Sequence, residues 1–166
     1  MIHVYIPATL AVLRQLVADG SFSPLNGTAF AVTPKLRESY AEGDDDELAE
    51  VALREAALAS LRLLAADLGE GLPPRRAVLA AEVEDARYRP DLDDAVVRLA
   101  APVAMDQVVA AYVDNVAAEP AVTAAIEAID AADLGDEDAD LIVGDAADHD
   151  LAWYATQELP FLLELL

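Results

Sequence analysis

Apolar and polar residues alternate from the first positions of the chain. Ile2, Val4 and Ile6 fall on one face and His3 and Tyr5 on the other, the period of a half-buried strand. Thr9 then stands where a helix cap is needed, before a stripe of Leu10, Leu13, Leu16 and Val17, and Gly20 marks the end of that helix. After a turn-rich stretch at 21–27, Thr28 to Val32 reads as a short strand. Thr33 and Pro34 follow as cap and first helical residue of a brief helix reaching about Tyr40. Asp44, Asp45 and Asp46 open the longest helical pattern, in which Leu48, Val51, Ala52, Leu58, Leu61, Ala65 and Leu68 recur before Gly69 stops it.

The second half begins with alternation again. Between Arg76 and Glu84, Ala77, Leu79, Ala81 and Val83 share one face, and Val78, Ala80, Glu82 and Glu84 the other. A polar connection from Asp85 to Asp94 leads to Ala95–Val103, and the two runs are expected to pair as a hairpin. Helices are expected at Asp106 to about Val116 and at Pro120–Ala132. The acidic stretch Asp133–Asp150 reads as a loop with a short extended piece at Leu141–Val143. Leu151–Ala155 is expected to be a last strand, with Thr156 capping a terminal helix from Gln157 to Leu166. The alternative for 151–159 is one helix bent by Pro160.

With the segment from Thr9 to Tyr40 set aside as an insertion, the order is βαββαβ, the ferredoxin-like α+β pattern, in a single domain spanning 1–166. In that fold the helices lie on one sheet face, over Val4, Leu79 and Leu99. The other face, carrying Tyr5, Val78, Ala80, Val96 and Ala100, would be open. A patch so apolar calls for a cover, either the C-terminal helix with Phe161, Leu162 and Leu165 or a second copy in a homodimer.

Charge changes this picture most. The net charge is −22, and all ten Lys and Arg lie at or before Arg98, whereas residues 99–166 hold fifteen Asp and Glu and no Lys or Arg. Such a chain is disfavoured as a direct ligand of nucleic acid or of an anionic membrane surface, because phosphates must be neutralised by cations. A basic protein partner fits it better. No uncharged run is long enough to span a bilayer, and the start Met1 to Pro7 lacks a secretory pattern, so a cytoplasmic protein is expected. There is no cysteine, which removes disulfides, thiol nucleophiles and thiolate metal sites together.

Little of the remaining chemistry forms a pattern. Asp136, Asp138 and Asp140 match the first ligands of a calcium loop, but Leu141 occupies the glycine position and Ala147 the closing glutamate. His149 lies between Asp148 and Asp150, and the only other histidine is His3, so no zinc or di-iron spacing arises. The seven glycines form no phosphate loop, and none of Ser21, Ser23, Ser39 and Ser60 sits in a nucleophile elbow. No catalytic, metal or cofactor residues are therefore assigned, and no cofactor is expected. The candidates for a surface or ligand site are His3, Tyr5, Glu82 and Arg98, which could meet on the open sheet face, and the adjacent aromatics Trp153 and Tyr154, of which one must face the core.

The stretches HVYIPATL at 3–10, TAFAVTP at 28–34 with LRE at 36–38, and WYATQEL at 153–159 resemble an uncharacterised family of small acidic actinobacterial proteins. The resemblance runs the whole length. It implies a bacterial cytoplasmic source and no activity. The functional expectations are a non-enzymatic acidic interaction or regulatory module, a small-molecule-binding protein or enzyme using the open sheet face, and a mimic of nucleic acid.

Overall fold

The structure is a computed structural model and describes residues 1–40, 42–66 and 71–166; the helix stop expected at Gly69, with Leu68 before it, lies outside these. The strands are β1 (Ile2–Ala8), β2 (Ser21–Phe22), β3 (Thr28–Phe30), β4 (Ala77–Val83), β5 (Arg87–Tyr88), β6 (Val96–Arg98), β7 (Val103–Ala104), β8 (Val108–Val113) and β9 (Ala152–Ala155). The α-helices are α1 (Leu10–Asp19), α2 (Pro34–Ser39), α3 (Asp45–Ala65), α4 (Glu119–Asp133), α5 (Glu137–Ala147) and α6 (Leu159–Glu164). Seven strands form one sheet in the order β5-β6-β3-β1-β4-β8-β9, with every neighbouring pair antiparallel, and β2 and β7 form a separate ribbon.

Local chemistry fixes the helix ends. The Thr9 hydroxyl accepts from the Val12 amide, Thr33 from Leu36, the Asp44 carboxylate from Glu47 and Asp136 from Ala139, each satisfying a donor that the helix start leaves unpaired. Gly20 closes α1 at φ 79°, where its amide bonds the Leu16 carbonyl. Gly27, at φ 69°, lies so close to β6 that a side chain there would run into the Leu99 carbonyl.

The α+β class holds, but the ferredoxin-like strand order does not. That fold needs the strands at 77–83 and 96–98 side by side; β1 and β3 separate them, and β4 pairs instead with β1 and β8. Nor do the helices share one face. α1 and α6 cover the side of Val4, Ile6, Leu79, Val97 and Ala111, while α2 and α3 cover Tyr5, Phe30, Val78, Ala80, Val96 and Ala110. The face expected to be open is thus closed by the long helix, which removes the apolar patch that a dimer was invoked to cover. The C-terminal helix covers the opposite face, through Leu159 and Leu162. A third cluster joins Leu61 and Leu64 of α3 to Val122, Ala125 and Ile129 of α4 and Val143 and Ala146 of α5.

Two further expectations are corrected. Residues 108–113 form the strand β8 rather than a helix, preceded by a short 3₁₀ turn at Met105–Gln107. The acidic stretch at 133–150 holds the helix α5 rather than a loop, and Leu141–Val143 is helical. The split at the C-terminus holds as strand then helix, although a 3₁₀ turn at Thr156–Glu158 comes between, and the Thr156 hydroxyl donates to the Val108 carbonyl instead of capping the helix.

Candidate functional site

β1 and β4 bring three of the predicted residues together. His3 is the register partner of Glu82, and its Nδ1 lies 2.7 Å from Glu82 Oε1, with both side chains partly exposed. The His3 ring meets Tyr5 edge-on at a centroid distance of 5.0 Å, and Tyr5 lies 6.4 Å from Tyr112 of β8. Tyr5 is buried beneath α3. That burial, with Tyr112, Glu50, Asp46 and Glu82 nearby, pushes its hydroxyl above the ordinary tyrosine value. The carboxylate thus holds the imidazole at a partly exposed position beside a tyrosine that α3 buries.

Arg98 does not join them. In β6 it pairs with Thr28, whereas Val96 and Phe30 sit level with Tyr5, so Arg98 lies toward the opposite end of the sheet from His3. Its Nη1 donates to the Asn26 carbonyl at 2.6 Å, and its Nε is buried without a partner. His149 contributes through its backbone carbonyl, which accepts from Arg76. Asp136 caps α5, with Glu137, Asp138 and Asp140 in the first turn, where the helix dipole favours negative charge; this accounts for the acidic spacing that resembled a calcium loop. Among the described residues no three His, Asp or Glu side chains are gathered as metal ligands.

Trp153 and Tyr154 split as the strand period requires. Tyr154 packs against the α1 and α6 side, and Trp153, opposite Tyr112, stays 58% exposed on the other. β9 is the last strand of the sheet.

Beside these aromatics lies a groove that the sequence did not reveal. Its floor is an ion pair between Arg76, just before β4, and Asp114, just after β8. The Arg76 amide and Nε donate to Asp114 Oδ2 at 2.8 and 2.9 Å, and Nη2 donates to Oδ1 at 2.8 Å and to the His149 carbonyl at 2.8 Å. Both side chains are buried. The guanidinium thereby ties the ends of two strands to the chain between α5 and β9. Above it are two adjoining cavities between α3 and residues 146–151. One, of about 240 Å³, is lined by Leu61, Val143, Ala146 and Asp148, and the other, of about 350 Å³, by Glu50, Tyr112, His149 and Leu151. Arg54, Ala57, Arg76 and Asp150 line both. Two cations, Arg54 and Arg76, thus line the groove with three carboxylates, Glu50, Asp148 and Asp150, while the fully buried Asp114 is taken up by Arg76 beneath it. The groove carries an excess of carboxylates beside apolar walls from Ala57, Leu61, Val143 and Leu151, the setting in which a lysine or arginine buries its stem and keeps its charge paired.

A family model described as a family of unknown function, DUF6912, matches residues 2–163. The chain belongs to that family. The whole-length resemblance read from the sequence is borne out at this level, and with it the absence of an assigned activity. No curated protein and no solved structure matches the chain. The DUF6912 chain therefore has to be read from its own geometry. Among the described residues no helix is long and apolar enough to cross a membrane.

Proposed function

We propose that this protein is a non-catalytic docking module whose C-terminal half engages a basic polypeptide. The observation that carries this reading is the segregation of charge along the chain. Residues 99–166 hold fifteen carboxylates and no Lys or Arg, and only Asp114, Glu119 and Asp133 receive an arginine from the earlier half, in pairs with Arg76, Arg75 and Arg62. The other twelve have no ion-pair partner among the described residues, and two of them, Asp148 and Asp150, line the groove below the strand that carries the exposed Trp153. Such an excess of negative charge raises the local concentration of cations and speeds the encounter with a basic partner.

Small-molecule chemistry on an open sheet face has lost its support, because α3 closes that face. Trp153, the single tryptophan, supplies a direct test. Titration with poly-lysine at low salt is expected to change its emission, and the change should vanish near half-molar salt, while poly-glutamate does nothing. An unchanged emission at low salt, or a change that salt does not touch, contradicts the reading.

A further inference from the structure

We infer that the partner segment docks by adding an eighth strand to the outer edge of β9, an inference that rests on the docking reading above. β9 ends the sheet, so one side of its backbone lacks a ladder partner among the described residues. Which groups face outward follows from one bond. The Ala155 amide donates to Glu158 Oε1 at 3.2 Å, so Ala155 turns away from β8, and in an antiparallel ladder the alternate residue Trp153 does the same. Trp153 thus offers both its N–H and its C=O to an incoming strand, with the Glu158 carboxylate held two residues further along the same edge.

The chemistry at this edge selects the occupant. Trp153 presents an exposed indole flanked in sequence by Asp148, Asp150 and Glu158, an arrangement suited to a cation over the ring with carboxylates close by. A second copy is disfavoured, because antiparallel pairing of two β9 edges about Trp153 would set the Glu158 carboxylate of each chain toward Asp150 of the other, on molecules of net charge −22. The structure assigns the edge to an extended basic segment of alternating cationic and apolar residues, its cations beside Trp153 and its apolar side chains on the face of Tyr154. In antiparallel addition, the residue opposite Trp153 exchanges both hydrogen bonds with it and lies on the same face. The cationic residues are therefore the ones whose amides bond β9.

Three octapeptides separate these claims: alternating Lys-Val, the same peptide N-methylated at every lysine amide, and the same peptide N-methylated at every valine amide. All carry equal charge. Binding, read from Trp153 emission at low salt, is expected for the first and third, with the lysine-methylated peptide at least tenfold weaker. Equal binding of all three overturns strand addition and leaves docking by charge intact. No binding by any of them overturns the docking reading itself, and strand addition with it.

Discussion

Single residues carry loads in this fold that their type alone does not announce. Asp114 is fully buried and holds Arg76 through both oxygens, so Asp114→Ala leaves a guanidinium in the interior without its counter-charge. Loss of about 3–5 kcal/mol is expected in denaturant unfolding, and a double replacement of both residues by apolar side chains should recover much of it. Ser60, also buried, joins three elements: from α3 it donates to the Ala8 carbonyl at 2.7 Å and accepts from the Ala77 amide at 3.0 Å. Ser60→Ala should cost about 1–3 kcal/mol, because the Ala77 amide loses its partner in a dry site. Tyr5 gives a pH signature. Its folded value is raised, so its contribution to stability is complete below the unfolded value of 10.0 and is lost as pH rises beyond it. Ultraviolet titration should show a component ionising above the ordinary tyrosine value that disappears in Tyr5→Phe; a titration curve whose high-pH limb is unchanged by that substitution would contradict the burial. His3 and Tyr5 were legible as sharing one face of β1, and Glu82 as lying on one face of β4, because strand alternation places them; that β1 and β4 bring His3 and Glu82 together is a matter of strand pairing. Arg76 and Asp114 were not legible as partners, since their pairing depends on a strand that the sequence disguised.

That strand is β8. Its register against β4 shifts between Ala80 and Ala81, so Val109 is an extra residue without a partner, 46% exposed. The bulge breaks the two-residue period, leaving spacings that also suit a helix, although the run of valines and Tyr112 favours a strand. α5 was hidden differently. Its acids read as loop solvent, yet Asp136 as cap, three acids in the first turn, and Ala139, Val143 and Ala146 on one face together spell a helix start and a buried stripe. By contrast α1, α2 and α3 announced themselves through their caps. α6 is placed by Leu159, which has no exposed surface. Leu159→Ala is expected to cost about 2–5 kcal/mol and to expose the face of Val4 and Leu79, measurable as a lower unfolding midpoint and increased binding of a hydrophobic dye. An unchanged midpoint would mean that α6 does not hold that face.

At the scale of the molecule, the class was legible and the topology was not. Strand periodicity says which residues share a face; it is silent on which strands are neighbours, and the order that places β1 and β3 between β4 and β6 is set by contacts far apart in the chain. The position of α3 was equally hidden, because its apolar stripe suits either sheet face. Charge, in contrast, carries over directly from sequence to surface. Because twelve carboxylates of the C-terminal half lack ion-pair partners among the described residues, screening should stabilise the protein. The melting temperature is expected to rise between low salt and about half-molar sodium chloride, where the Debye length falls to a few Å. The same imbalance underlies the docking account, whose most direct test compares two triple variants of equal charge change at exposed sites. Asp148→Asn, Asp150→Asn and Glu158→Gln neutralise the region of Trp153, and Glu38→Gln, Glu84→Gln and Asp85→Asn neutralise the N-terminal half. Affinity for poly-lysine, measured by calorimetry at low salt, should fall at least tenfold in the first variant and stay within about twofold in the second; equal losses in both would contradict a localised docking surface.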